Sequence, residues 1–286
     1  MPTDVIVAFD ELLTRQGLTP TQFQTANERF ADIRTFFNNK LQMAMPVFTI
    51  GSAARGTIAA GERDIDLMAA VANVYANKYR ADSRQFLYDV RQLLAQRYPR
   101  TDAGAREVAV VLDFDVIRTE VVPCFKSDGD GFVMPNGSRG WMATNPPFHT
   151  ALVGTADAAH QQTLKPLVRL IKAWNIAHGQ QLRSFHLEML VKRMWDGYAI
   201  GAWPAAVAGT LQVLGNWVGI AFVDPWRGTT RIDTYLSAQA RAQLIRTITE
   251  SAAAAATAEA HRLAGRIPAA FERWQLIYRH TFPAYG

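Results

Sequence analysis

The sequence predicts an α+β protein: a small mixed sheet with helices packed on it, followed by a helical lobe, with a cleft expected between the two. Three observations predict it. Short apolar runs with period-2 alternation cluster between about residues 45 and 125. A Gly/Pro/Asn-rich stretch, "KSDGDGFVMPNGSRGWMATNPP", then interrupts the pattern. Beyond it the apolar residues recur at helical spacing almost to the C-terminus. The expected division is 1–150, including N-terminal helices, and 151–286.

The elements follow in order. "TPTQFQTANERFADIRTFFNNKL" places Phe23, Phe30, Ile33, Phe37 and Leu41 on one helical face, with Thr19 or Thr21 available as the cap. "MPVFTI" reads as a strand ending at Gly51, and "RDIDLMAAV" as a second strand. "DSRQFLYDVRQLLAQRYP" is a helix with Phe86, Val90, Leu93 and Leu94 aligned. "EVAVVLDFDV" and "TEVVPCF" are two further strands around a turn near Arg118. Residues 126–147 read as loop, and helices are expected at about 156–178, 184–199, 204–220, 236–264 and 267–280. The run "ESAAAAATAEA" belongs to one of these, because alanine is the strongest helix former.

Composition narrows the function classes. A chain of 286 residues with 49% hydrophobic side chains can bury a sizeable core, and 19% charged residues do not describe a disordered tail. The net charge of +5 favours anionic partners, without a dense Lys/Arg block. Cys124 is the one cysteine, so an intrachain disulfide is excluded; "VVPCF" reads as a buried apolar setting. The N-terminus carries acids where a secretory signal carries bases, and no apolar stretch reaches the ~20 residues of a membrane span. A cytoplasmic location is expected.

The stretch "FTIGSAARGTIAAGERDIDLMAAV" carries the chemistry. On a strand, Asp64 and Asp66 share a face while Ile65 and Leu67 face the other way. Two carboxylates so placed can hold a pair of divalent ions ~3.5–4 Å apart, the arrangement of phosphoryl and nucleotidyl transfer. An oxygen-only donor set selects Mg²⁺ or Mn²⁺ over zinc, and the six histidines are scattered. Upstream, Gly51-Ser52 and Gly56-Thr57 bracket a loop of small residues whose N–H groups could approach a phosphate, although no Gly-Lys-Ser/Thr follows.

"GSAARGT" followed by "DID" resembles the signature of the polymerase-β-like nucleotidyltransferases. That superfamily needs a third acid on a neighbouring strand; Asp113, Asp115 and Glu120 are the candidates. Asp113 and Asp115 alternate with apolar residues as the solvated face of a hairpin would. Glu120 begins "EVVPCF", which resembles the acid-Val-Val-Pro strand of the bacterial cyclic-oligonucleotide synthases, relatives of cyclic GMP-AMP synthase and oligoadenylate synthetase. Glu120 is therefore assigned, although the family more often has Asp there. The extra methylene moves the carboxylate outward by about 1.5 Å. "GWMATNPPFH", "VDPWRG" and "AAFERWQLIYRHTFP" match further segments, so the similarity runs from about residue 45 onward. In the last of these, Trp274 is expected to pack rather than bind a base.

In "TLKPLVRLIKAWN", Lys165, Arg169 and Lys172 form a basic stripe beside an apolar one, which is either a solvated face or a lining for a triphosphate. "LIKAWN" followed by "SFHLEML" is similar to the helix pair whose lysine and serine hold donor phosphates in the cyclic GMP-AMP synthase group; here these are Lys172 and Ser184, the latter equally an N-cap. The resemblance thus implies catalytic and metal-binding Asp64, Asp66 and Glu120 with two Mg²⁺ or Mn²⁺ ions. It implies nucleotide or phosphate contacts at Gly51, Ser52, Arg55, Lys172 and Ser184. The implied activity joins ribonucleoside triphosphates into a cyclic di- or trinucleotide messenger for anti-phage signalling through a separate cyclic-nucleotide-responsive effector. A linear oligonucleotide synthase, a transferase that nucleotidylates protein or RNA, and a catalytically silent nucleotide- or partner-binding protein are the alternatives. A monomer is expected, with no membrane and no nucleic-acid activator, and "FPAYG" leaves Gly286 as a candidate for conjugation by a ubiquitin-transfer-like partner.

Overall fold

In the computed structural model the described residues are 1–286 except 63 and 115, with the side chains of 102, 103, 105, 106 and 280 also left aside. In chain order the first elements are α1 (Val5–Thr14), α2 (Pro20–Lys40), β1 (Phe48–Ile50), α3 (Gly51–Arg55), β2 (Asp64–Val71), α4 (Ala76–Tyr79) and α5 (Ser83–Arg97). The remaining strands are β3 (Asp102–Arg106), β4 (Ala109–Asp113), β5 (Arg118–Lys126), β6 (Phe132–Pro135) and β7 (Trp141–Thr144). Helices α6 (Pro146–Ala159), α7 (Leu164–Ala177), α8 (Ser184–Trp195), α9 (Trp203–Gly219), α10 (Ala238–Leu263) and α11 (Ile267–Tyr278) follow. By internal packing the chain divides into a sheet unit, 18–56 with 62–151, and a helical unit, 1–17 with 57–61 and 152–286.

In the sheet unit, seven strands among the described residues pair in one sheet with the order β1-β2-β5-β4-β3, and β6 pairs with β5 and β7. β2 and β5 run parallel and the other pairs are antiparallel. α2 starts at a capping box in which Thr19 and Gln22 satisfy each other's backbone N–H groups, with Pro20 at the first turn. Ile33 and Phe37 of α2 are buried, but Phe23 is 60% exposed and stands outside the apolar face expected for it. α5 buries Phe86, Val90 and Leu94, and Phe86 stacks on Phe125 of β5 at 4.7 Å.

Two expectations change here. Residues 126–147 are not all loop: Phe132, Val133, Trp141 and Met142 are good strand formers, and β6 and β7 make a hairpin closed at Asn136–Gly140, where Gly137 takes φ +83°. Arg118 is not in a turn but opens β5.

In the helical unit one apolar core gathers residues from α1 and from α6 through α11. Phe9 of α1 meets Trp274, Tyr278 and Phe282 edge-on at 4.8 to 5.8 Å, so α1 packs with the helices rather than with the sheet as a cut at residue 150 would place it. Trp274 is fully buried, as expected of a packing residue. The expected helix 156–178 is two helices, broken where Gln161 and Gln162 take φ of +53° and +64°. The alanine-rich α10 lets Trp174 reach the hydroxyl of Ser251 at 2.9 Å. Near the last residues Phe282 is buried, and Gly286, itself exposed, donates its N–H to the Pro2 carbonyl at 3.3 Å. No helix among the described residues is long and apolar enough to cross a membrane.

Candidate active site

The site grows out of strand register. Ile50 of β1 lies opposite Asp66 of β2, and β2 in turn sets Asp64 opposite Arg118 and Asp66 opposite Glu120 of β5. Residues in register on paired strands share a face. Asp64, Asp66, Arg118 and Glu120 therefore emerge on the same side as Met68, Ala70, Val122 and Cys124. Those four, with Ala109 and Phe132, form a buried apolar cluster, so the charged quartet stands at the end of a greasy floor. Cys124 is part of that floor, and burial pushes its thiol pKa well up.

Asp66 is a strongly perturbed carboxyl. Burial, then the charges of Glu120 and Asp64, push its pKa up to about 7, while the Arg55 guanidinium pulls the other way. Gly51 makes the room for it. Its φ is +67°, and a Cβ there would lie 1.8 Å from Asp66 Oδ2, so glycine is required both by backbone and by space. The expected small-residue loop is a five-residue helix, α3, ended by Gly56 in the left-handed region. On α3, Ser52 and Arg55 are 8% and 6% exposed, so both are largely inside rather than offered to solvent.

Asp64 has a different setting. Arg118 Nε and Nη2 donate to its two carboxylate oxygens at 2.6 and 2.8 Å, a fork-on-fork pair. The cation that the paired acids call for is thus supplied in part by the neighbouring strand. Asp113 of β4 lies opposite Arg118 on the other side and is exposed, as its alternation suggested. Asp115 lies outside the described residues. Register brings Asp64, Asp66 and Glu120 to one face of the sheet, with Arg118 gripping Asp64, and among the described residues no group of three ligating side chains is already gathered around a metal position.

The chemistry of the donor set still suits a hard divalent cation. All donors are carboxylate oxygens, and Asp66 is raised first by burial and then by the charges of Glu120 and Asp64, a repulsion that a bound cation would offset.

The basic stripe of α7 turns inward. Lys172 is 1% exposed, and its ammonium donates to the Thr57 carbonyl at 2.9 Å and to Glu188 Oε1 of α8 at 3.3 Å. Glu188 is equally buried. Lys165 lies 3.8 Å from Asp157, Arg169 Nε is buried without a hydrogen-bond partner, and burial holds the Arg169 pKa down against the opposing charge of Asp157. A solvated face does not describe Lys172, which is buried, while Lys165 stays 30% exposed. Ser184 is the first residue of α8, after an Arg183 cap, so it is not itself the N-cap.

Comparison with known proteins gives the family and the fold. Residues 4–156 match the model of the Second Messenger Oligonucleotide or Dinucleotide Synthetase domain. The chain belongs to that family. A cyclic AMP-AMP-AMP synthase from an Acinetobacter strain is 26% identical over 139 residues, 47% of this chain, and the match spans only 39% of that relative's length. The fold of this synthetase-family member is that of solved bacterial structures. The E. coli MS115-1 CdnC:HORMA-deltaN complex contains a chain with a TM-score of 0.79 at 16% identity, covering 97% of this chain and 98% of that one. CdnG of Bradyrhizobium diazoefficiens, solved with GTP, gives 0.70 at 12% identity over 98% and 99%. The polymerase-β-like α+β fold expected from the sequence is therefore shown.

Two residues of this chain escape a reading from sequence alone. Arg118 opens β5 rather than lying in a turn; its signal is "RTE", which repeats the two-residue spacing of "DID" and pairs with it residue for residue. Glu188 carried no local signal, since its partner Lys172 lies on the preceding helix.

Proposed function

We propose that the protein joins ribonucleoside triphosphates into a cyclic di- or trinucleotide and releases pyrophosphate. The observation that carries this reading is the in-register meeting of Asp66 and Glu120 on parallel strands, with Asp66 held near pKa 7 and Gly51 cut away beside it. Family membership supports it, as does the relative named a cyclic AMP-AMP-AMP synthase. Nucleotide substrates are supported by the structures of CdnC with ATP and CdnG with GTP.

Asp64, Asp66 and Glu120 would hold Mg²⁺ or Mn²⁺, and the bound pair of ions would acidify an acceptor ribose hydroxyl and offset the charge of the donor triphosphate. The remaining work belongs to the chain. Glu120 and Asp66 orient the acceptor hydroxyl through their shared face, and the longer Glu120 side chain sets how far from the strand that hydroxyl sits. Gly51 and Ser52 present backbone to the donor phosphates, and Arg55 behind them limits the repulsion from the carboxylates. The product would act through a separate cyclic-nucleotide-responsive effector in anti-phage signalling. A protein partner for the synthase itself is supported by the HORMA complex of CdnC.

Incubation with all four ribonucleoside triphosphates and Mg²⁺ or Mn²⁺, followed by mass spectrometry, tests the reading. A phosphatase-resistant product that disappears in Asp66→Asn supports ring closure. A phosphatase-sensitive product points to linear synthesis or nucleotidylation instead. The Arg118–Asp64 pair favours one competing view, a nucleotide-binding protein without turnover; pyrophosphate release that depends on Asp66 excludes it.

A further inference from the structure

The reading of Asp64, Asp66 and Glu120 leaves two charged residues of the same sheet face without a role. Arg118 opens β5 and has a carboxylate in register on each side, Asp64 on β2 and Asp113 on β4. In-register side chains on neighbouring strands stand about 5 Å apart at Cβ. An arginine between them therefore reaches either neighbour by side-chain rotation, with no backbone movement. In the structure it grips Asp64 with two donors, and the pair stays partly open to solvent, with side chains 29% and 33% exposed. Asp113, the other in-register neighbour, is exposed.

Resting on the cation-site reading of the proposed function, we propose that Arg118 is a positioning residue: a resident cation that neutralises Asp64 in the metal-free protein and moves to Asp113 when a divalent ion takes Asp64. The exposure of the pair makes the exchange practicable. A half-open ion pair competes with an incoming ligand by less than about tenfold, whereas a buried one would lock the carboxylate away. Asp113 gives the displaced guanidinium a second counter-charge. The same residue pair would keep two neighbouring carboxylates from repelling each other while the site waits for nucleotide.

The test is Mn²⁺ affinity of the full chain without nucleotide, read by the electron paramagnetic resonance of free Mn²⁺. Arg118→Met should tighten Mn²⁺ about three- to tenfold. Arg118→Lys keeps the charge but loses the fork, and should tighten it by a smaller factor; a field effect alone would leave this variant at wild-type affinity. Asp113→Asn should weaken Mn²⁺ about threefold with Arg118 present and leave it within about twofold in the Arg118→Met background. Equal weakening in both backgrounds, or no tightening in either Arg118 variant, overturns the proposal. If Arg118→Met fails to fold by circular dichroism, Arg118→Lys with and without Asp113→Asn carries the same decision. Asp66→Asn/Glu120→Gln is the control. If it abolishes Mn²⁺ binding while the Arg118 variants bind as wild type, the cation-site reading stands and only this inference falls. If it binds as wild type, both fall.

Discussion

Charge is handled differently in the two units. The helical unit buries its ions in matched sets: Lys172 with Glu188, both 1% exposed, and Asp233, fully buried, between Arg231 and Arg241 at 2.7 and 2.8 Å. His186 is kept neutral there instead, its pKa pushed down to about 4 by burial. In the sheet unit carboxylates such as Asp89 and Asp32 are paired near the surface, but at the candidate site the acids crowd. Burial and then the charges of Glu120 and Asp64 act on Asp66, with Arg55 pulling the other way, while Arg118 grips Asp64. Matched burial makes a rigid scaffold, while a deficit of positive charge costs stability and creates an appetite for a cation. The difference separates groups that hold the fold from groups kept for chemistry.

The sharpest way to break this comparison is Asp66→Asn. It should reduce pyrophosphate release by at least about 10³-fold, because a ligand to the reacting groups is lost. It should also raise the thermal midpoint of the metal-free protein at pH 7.5 by a few degrees, since a strained charge is removed. Loss of activity with loss of stability would place Asp66 among the structural ions instead.

Glu188→Ala is the counterpart in the helical unit. Leaving Lys172 buried without its carboxylate should cost about 3–5 kcal/mol in urea unfolding. The double variant Lys172→Met/Glu188→Leu should regain most of that, with the apparent KM for nucleotide within about twofold of wild type. A raised KM in the folded double variant would mean that the pair opens to meet a triphosphate, as the resemblance implied for Lys172.

How much of this was legible beforehand depended on the range of the interaction. That Asp64 and Asp66 share a face was readable because alternation within one strand decides it, whereas Glu120, on another strand, was singled out by the resemblance of "EVVPCF" and is set beside Asp66 by register. Gly51 was readable for a related reason, a glycine at a strand end. The roles of Arg118 and Lys172 depend on which strand or helix lies alongside, and sequence spacing does not encode that. The β6–β7 hairpin was hidden by composition: its four-residue strands lie among Asp, Gly, Asn and Ser that dominate a turn signal. The break between α6 and α7 was hidden because glutamine, an ordinary helix former, adopts the left-handed region twice.

Gly51→Ala should act on the sheet unit with a smaller effect than loss of Asp66. The new Cβ would displace the Asp66 carboxylate, and its φ of +67° disfavours any side chain. Activity should fall about 10²-fold, a cost typical of a misplaced reacting group. Mn²⁺ affinity should fall with it. Activity within twofold of wild type would mean that Asp66 tolerates movement and is not tightly placed.

The subtlest expectation is that the two units respond to pH with opposite signs. Asp66 is raised from 3.8 to about 7 in the folded, metal-free protein. Between those values the folded state keeps a proton that the unfolded chain has released, so the sheet unit loses stability as pH rises. His186 is lowered from 6.5 to about 4, so within that window the unfolded chain binds a proton that the folded state refuses. The helical unit therefore gains stability as pH rises through the same range. The lowered carboxyls Asp32, Asp89 and Asp233 titrate below this window and do not disturb it. Hydrogen exchange between pH 4.5 and 6.5, corrected for intrinsic rates, should show protection falling in β2 and rising in α8. Asp66→Asn should flatten the first trend and His186→Gln the second, each leaving the other in place. Parallel trends in both units would mean that the chain opens as one body, and that the contrast in charge is not felt locally.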